Sequence, residues 1–200
     1  MLDFFSLFGI GFAAFIASNI DDTFILILLF SSLSFQTRHI IIGQFLGIAV
    51  LIIISALGAL IALVLPPFLI ALLGFIPIGI GIKRLAEHLD RNRITEKNKT
   101  FQDNKGQGLI PFLTVSAITI SNGGDDIGVF MPLFAKYNTV AEVTTLVSIF
   151  MVMTMVWCIS TRYFVNHPII ATRIERFGNI ITPFVLIGLG LYILAGGLFI

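Results

Sequence analysis

Charged residues are scarce in this chain. Asp, Glu, Lys and Arg make up 12% of its 200 residues, against 57% hydrophobic. Soluble domains carry about twice that charged fraction. A water-soluble fold of this size could bury one core, but it could not hide this much apolar surface. The mean hydropathy is +1.03. An excess of one sign is also missing: the net charge is +1, so there is no general basic surface and nucleic acid is excluded as a partner. Cysteine is reduced to Cys158, inside an apolar run. That excludes an intrachain disulfide framework and a CxxC redox pair, and leaves a buried thiol acting as a small hydrophobe. No GxxxxGK[ST] phosphate loop occurs, so ATP is not an expected energy source and no cofactor is implied. The first residues, Met1-Leu2-Asp3-Phe4-Phe5, carry no basic stretch, and the apolar run they open outlasts a signal-peptide core. They are not expected to form a signal peptide.

Long apolar runs are what the chain has instead. A helix needs about 20 apolar residues to cross the hydrocarbon core. Six segments reach or approach that length: roughly 4–33, 40–65, 67–82, 109–135, 140–160 and 179–200. The third is short and interrupted by Pro77, Gly79 and Gly81. A hydrophilic stretch from Lys83 to Gly108 separates the first three from the last three. The pattern predicts an all-α integral membrane protein with six transmembrane helices, divided as residues 1–86, a cytoplasmic linker at 87–107, and residues 108–200. The 20 phenylalanines are expected at lipid-facing and core positions.

Basic residues orient such a chain, because Lys and Arg accumulate on the cytoplasmic side. Arg38 lies in the first connection. Lys83, Arg84, Arg91, Arg93, Lys97, Lys99 and Lys105 lie in the third, and Arg162, Arg173 and Arg176 in the fifth. These three connections share one side and hold eleven of the twelve basic residues; Lys136 alone falls on the other. Both termini are therefore expected outside.

The two halves echo one another. Ser18-Asn19-Ile20-Asp21-Asp22 in the first segment matches Ser121-Asn122-Gly123-Gly124-Asp125-Asp126 in the fourth. Pro77-Ile78-Gly79-Ile80-Gly81 in the third matches Ile187-Gly188-Leu189-Gly190-Leu191 in the sixth. Each half has an odd number of crossings, so the second three-helix repeat must sit inverted relative to the first, as in many secondary transporters.

Four carboxylates, Asp21, Asp22, Asp125 and Asp126, fall near the middles of their segments. A central Asp opposes insertion by about 2.5 to 3.5 kcal/mol, so the four are expected to face a protein interior or a wet cavity. Hydrogen-bonding between helices would explain Asn19, Ser18 or Thr119 better than it explains four acids. No Lys or Arg is expected within the apolar centres to pair with them, so protons, a bound cation, or both must supply the positive charge. Asn19 and Asp22, like Asn122 and Asp125, are three residues apart and would share a helix face. Gly123-Gly124 weakens the helix there, and unwinding would free carbonyl oxygens as further ligands. The candidate metal ligands are Asn19, Asp21, Asp22, Asn122, Asp125 and Asp126, an oxygen-rich anionic set suited to a divalent cation. Glu87, His88 and Asp90 are expected at a solvated helix end, with a cytoplasmic metal contact as the alternative. His39 and His167 are expected at the interface. Gln44, between Gly43 and Gly47, reads as helix-packing glue rather than a ligand.

At these motifs the chain resembles the cadmium-resistance transporter (CadD-like) family of the lysine-exporter superfamily. The matching stretches are Asn19-Ile20-Asp21-Asp22, Ile42-Gly43-Gln44-Phe45-Leu46-Gly47, Leu73 to Lys83, Asn122 to Phe134, and Ile187 to Leu191. The resemblance implies export of Cd²⁺, with Zn²⁺ as a second substrate, across a bacterial plasma membrane. It matches Asp21 and Asp125 most firmly, whereas the family often carries Asn where this chain has Asp126.

Other functions leave different marks. An intramembrane aspartyl protease uses two membrane aspartates, one in a Gly-x-Gly-Asp setting, and here Asn122 stands three before Asp125. A membrane thiol–disulfide carrier needs two cysteines. An exporter of a basic amino acid, a channel, and transport of Mn²⁺, Ca²⁺ or Mg²⁺ stay open, because an all-oxygen site does not single out a soft metal. A homodimer stays open too. Without an ATP motif, uphill export requires an ion gradient. Protons are the expected coupling ion, since clustered carboxylates in a low-dielectric site would titrate as one group.

Overall fold

The computed structural model describes residues 2–20, 22–32, 35–62, 64, 67–89, 110–165 and 168–198. Among them there is no strand; every element is a helix. In chain order these are α1 (Leu2–Asn19), α2 (Asp22–Ser31), α3 (Thr37–Ala62), α4 (Pro67–Leu72) and α5 (Phe75–Leu89). Then come α6 (Pro111–Asn122), α7 (Gly124–Lys136), α8 (Val140–Val165) and α9 (Pro168–Leu198).

Two helices, α3 and α8, are each long and apolar enough to cross a membrane. At 26 residues each they measure about 39 Å, more than a hydrocarbon core of about 30 Å. α1 and α2 make a third such span if their arms, bent by 61°, are taken together. Where the sequence led to six crossings, the described residues thus contain two clear ones and up to three. Three of the other apolar segments are broken. The first and fourth break at their Asn/Asp motifs. The third breaks at the Leu73–Gly74 turn into α4 and α5. In the sixth, Ile180–Ala195 of the long α9 is an apolar helical stretch, and the side chains on either side of it lie outside the described residues.

The breaks have local causes. At Gly123 the amide is shared between the carbonyls of Thr119 at 2.9 Å and Ile120 at 3.3 Å, and the next turn starts from its own carbonyl, which accepts from the Ile127 amide. Glycine tolerates this kink, and the space beside it is taken: a Cβ there would stand 2.2 Å from Leu51 Cδ1. The first segment breaks without glycine. Asn19 ends α1, the amide of Thr23 turns back to Ile20 O at 3.3 Å, and Asp22 opens α2. Asn and Asp suit such a junction because their side chains compete for backbone hydrogen bonds. α8 starts from a capping box, in which Glu142 accepts from the Thr139 amide at 3.2 Å and Thr139 Oγ1 accepts from the Glu142 amide at 3.3 Å.

Packing crosses between the halves. α3 lies along α6 and α7, and α8 lies along α1 and α2. α5 packs along α9, where a Cβ on Gly74 would come 2.6 Å from the Gly190 carbonyl oxygen. The core gathers Phe15, Phe130, Phe150, Leu51 and Leu133. Large apolar side chains cover the outside, among them Phe5, Phe8 and Phe12 on α1, Ile53, Leu57 and Ile61 on α3, and Val152 and Ile159 on α8. Single exposed apolar residues need no explanation, but a continuous belt of them requires an apolar surrounding.

The hydrophilic stretch is shorter than its composition suggests. α5 continues through Lys83 and Arg84 to Leu89. The rest of the linker, 90–109, lies outside the described residues, as do Asp21, Asp90, His167 and the side chains of Glu87 and His88. His39 is half-buried near the start of α3, and Cys158 is a buried free thiol.

Candidate functional site

Two broken helices meet break to break. Asn19 is the last residue of α1 and Asn122 the last of α6. Asp22 stands in the first turn of α2, and Asp125 and Asp126 in the first turn of α7. The N-terminal ends of α2 and α7 thus carry carboxylates, which the aligned backbone N–H dipoles favour.

The side chains then pair across the halves. Asn19 Nδ2 donates to Asp126 Oδ1 at 3.0 Å, and Asn122 Nδ2 donates to Asp22 Oδ1. Asn19 and Asp126 are each 1% exposed and Asp22 is 4% exposed. Asn19 also donates to Phe15 O and Ser18 Oγ, and Ser18 Oγ donates to Phe15 O, so the end of α1 is held by its own last turn. The same-face expectation within each segment is therefore corrected. The break between Asn19 and Asp22 removes the regular helix that would have put them on one face, and each asparagine serves the acid of the other segment.

A second correction concerns charge. No basic residue is expected in the apolar centres to pair with the acids, yet Arg84 Nη2 forms a salt bridge with Asp125 Oδ2. Its other terminal nitrogen, Nη1, reaches Ala17 O at 3.4 Å. Arg84 sits where the third apolar run ends, a position that reads as interfacial. Because α5 continues for another turn and more, its long side chain can turn back toward the breaks.

Around this centre the polar side chains are used for packing. Gln44 accepts from Thr119 Oγ1 at 2.7 Å, and Ser116 Oγ donates to Gly43 O at 2.9 Å, tying α3 to α6. Gln44 thus lies in a helix contact. Below the Asn19–Asp126 pair lies an aromatic stack: Phe15 precedes Asn19 by one turn, Phe130 follows Asp126 by one turn, and both meet Phe150. The Phe130 and Phe150 centroids are 4.3 Å apart.

Among the described residues, no group of three His, Cys, Asp or Glu side chains is gathered closely enough to hold a metal ion. Asp125 turns toward Arg84, Asp22 and Asp126 face asparagine amides, and Asp21 lies outside the described residues. What the arrangement offers is two buried carboxylates bridged by amides at the meeting point of two broken helices, with one guanidinium at its edge.

Comparison with curated proteins and with solved structures gave no match. The model of the cadmium resistance transporter family matches residues 15–198, which include both breaks, the paired Asn and Asp residues and Arg84. The chain belongs to the cadmium resistance transporter family.

Proposed function

We propose that this protein exports a divalent metal cation, Cd²⁺ with Zn²⁺ as a second substrate, through a site between the two broken helices, in exchange for protons. The observation that carries this reading is the reciprocal pairing of Asn19 with Asp126 and Asn122 with Asp22. Two buried carboxylates held by amides, not by lipid-facing solvation, form an anionic oxygen cluster of the kind divalent cations take. Asn19, Asn122, Asp22, Asp125, Asp126 and the neighbouring Asp21 are its proposed ligands. An emptied site must have its buried charge compensated, and protons are the compensation proposed here.

The proposed architecture is six crossings as two inverted three-helix repeats in a bacterial plasma membrane, with both termini outside. The crossed packing of α3 on α6 and α8 on α1 supports the repeat, since equivalent helices then make equivalent contacts. Arg162 donates to Thr37, which supports a shared side for the first and fifth connections.

The test is uptake by inside-out vesicles, using Cd²⁺, Zn²⁺, Mn²⁺, Ca²⁺, Mg²⁺ and lysine in turn. Accumulation of Cd²⁺ driven by an imposed pH gradient is the expected result. Accumulation of lysine instead, or Cd²⁺ movement that follows a Na⁺ gradient and ignores pH, would refute the substrate or the coupling respectively.

A further inference from the structure

Arg84 introduces a positive charge that the cation-binding reading did not call for. Its guanidinium joins three elements: α5, which carries it; the last turn of α1, through Ala17 O; and the first turn of α7, through Asp125. The side chains of Arg84 and Asp125 are 15% and 19% exposed, so the pair is largely withdrawn from water. A pair in that setting is little screened by salt, and breaking it leaves a charge needing a new partner.

Asp125 is one of the proposed ligands. The lone pair of Asp125 Oδ2 that accepts from Arg84 is not open to a metal ion while that contact lasts. Two positive charges also repel when brought to one carboxylate. Cation and guanidinium are therefore alternatives at Asp125. Resting on the proposed function, we infer that Arg84 is a tethered counter-ion: it holds Asp125 while the site is empty and is displaced by the transported cation. Displacement removes this polar tie between α5 and the ends of α1 and α7, because the same side chain makes both contacts. Cation binding is thereby linked to loosening of that junction. The exchange also favours a divalent ion. A monovalent ion only replaces one unit charge with another, whereas a divalent ion adds one.

The positions at the equivalent place in the other half sharpen the point. The Gly79-Ile80-Gly81 motif precedes Arg84, and the Gly188-Leu189-Gly190 motif precedes Ile193 at the same spacing. Ile193 is buried in the apolar core. The tether thus belongs to one half alone, which makes the exchange a property of one side of the site.

The experiment measures equilibrium Cd²⁺ binding to purified protein, and initial rates in proteoliposomes, for wild type, Arg84→Gln and Arg84→Lys. Removing the competitor should tighten Cd²⁺ binding about tenfold in Arg84→Gln. KM and kcat should fall together, because the bound cation no longer has a guanidinium to displace it. Arg84→Lys, which keeps the charge but not the fork geometry, should fall between the two. Binding that is unchanged or weaker in Arg84→Gln would mean a structural clamp and overturn the inference. A measurement on the wild type needs no variant: reaction of Arg84 with phenylglyoxal, followed by mass spectrometry, should rise when Cd²⁺ saturates the protein. No rise would overturn the inference as well. Asp22→Asn separates this idea from the reading beneath it. If that variant binds Cd²⁺ normally, the proposed site itself is wrong. If it loses binding while Arg84→Gln does not gain it, only the tether fails.

Discussion

Where α3 runs along α6, the two helices come into direct contact through small residues. A Cβ on Gly43 would stand 2.7 Å from Phe112 O, and one on Gly47 would stand 2.6 Å from Thr119 Cβ. Hydrogen bonds from Ser116 to Gly43 O and from Thr119 to Gln44 fasten the seam. Where α8 runs along α1, side chains keep the helices apart. Phe15 lies 6.0 Å from Phe150 and 6.3 Å from Trp157, centroid to centroid, and Gly11 faces only the tips of Leu146 and Ile149. The two seams flank the two Asn–Asp pairs, so one pair sits beside a contact fixed by backbone and hydrogen bonds and the other above a layer of rings. The first arrangement holds helix spacing rigidly. The second fills space with groups that can repack, since aromatic pairs tolerate several offsets.

The most severe way to break this comparison is to remove the acids themselves. Asp126→Ala and Asp22→Ala, which remove the side-chain oxygens as well as the charge, should each reduce Cd²⁺ efflux to background. Asn19→Leu and Asn122→Leu should lose about 10-fold, in keeping with groups that orient a ligand rather than act as one. Efflux from loaded cells at matched membrane expression measures all four. If the seams differ only in packing, the two acids should behave alike. Full activity in one acid variant and none in the other would show that only one pair handles the cation.

A smaller effect tests the seams directly. Gly43→Ala places a methyl group against a carbonyl oxygen and the Val115 Cβ, neither of which can move without shifting a helix. It should destabilise the protein by about 1 to 3 kcal/mol. Gly11→Ala meets the Leu146 Cδ2 atom at 2.9 Å, the end of a flexible side chain, and should cost less than about 1 kcal/mol because a rotamer change relieves it. Unfolding in detergent would compare them. Equal losses would mean that the α1–α8 seam is as closely fixed as the α3–α6 seam.

The sequence told more about which polar residues would be buried than about how they would pair. The burial of Asp22 and Asp126 was legible because acids in apolar runs require a protein interior, and the kink at Gly123 was legible from the glycine pair. Gln44 was legible as a packing residue because glycines flank it. Partnership was not legible. Helical spacing relates residues within one segment, whereas Asn19 reaches Asp126 only after both helices have been broken and brought together. The break after Asn19 had no glycine to announce it. Arg84 was hidden for a different reason: a cation at the end of an apolar run looks interfacial in sequence, and only the path of α5 turns it toward Asp125. The described residues contain fewer membrane-length helices than the apolar runs suggested, because a run of apolar residues does not record where its helix breaks.

The mildest prediction concerns the hydrogen bond from the Thr119 side chain to the Gln44 side chain, between α6 and α3. Thr119 Oγ1 donates to Gln44 Oε1 at 2.7 Å, with both residues buried, and lies 3.2 Å from Val115 O. Thr119→Val keeps the branched shape that fills the space beside Gly47, so packing is preserved while the donor is lost. Gln44 then keeps a buried oxygen without that donor. A buried acceptor left so costs about 1 to 3 kcal/mol in water-soluble proteins. Inside a membrane protein the value is smaller, about 0.6 kcal/mol on average, because the unfolded chain in lipid also finds partners. The expected loss is therefore about 1 kcal/mol at most, below that of Gly43→Ala, with Cd²⁺ transport retained. Thr119→Ser keeps the donor but removes the methyl group, and separates the two contributions: it should preserve the hydrogen bond and lose packing against Gly47. If Thr119→Val instead abolishes transport at normal stability, the hydroxyl belongs to the cation path, and the α3–α6 seam is part of the site rather than its support.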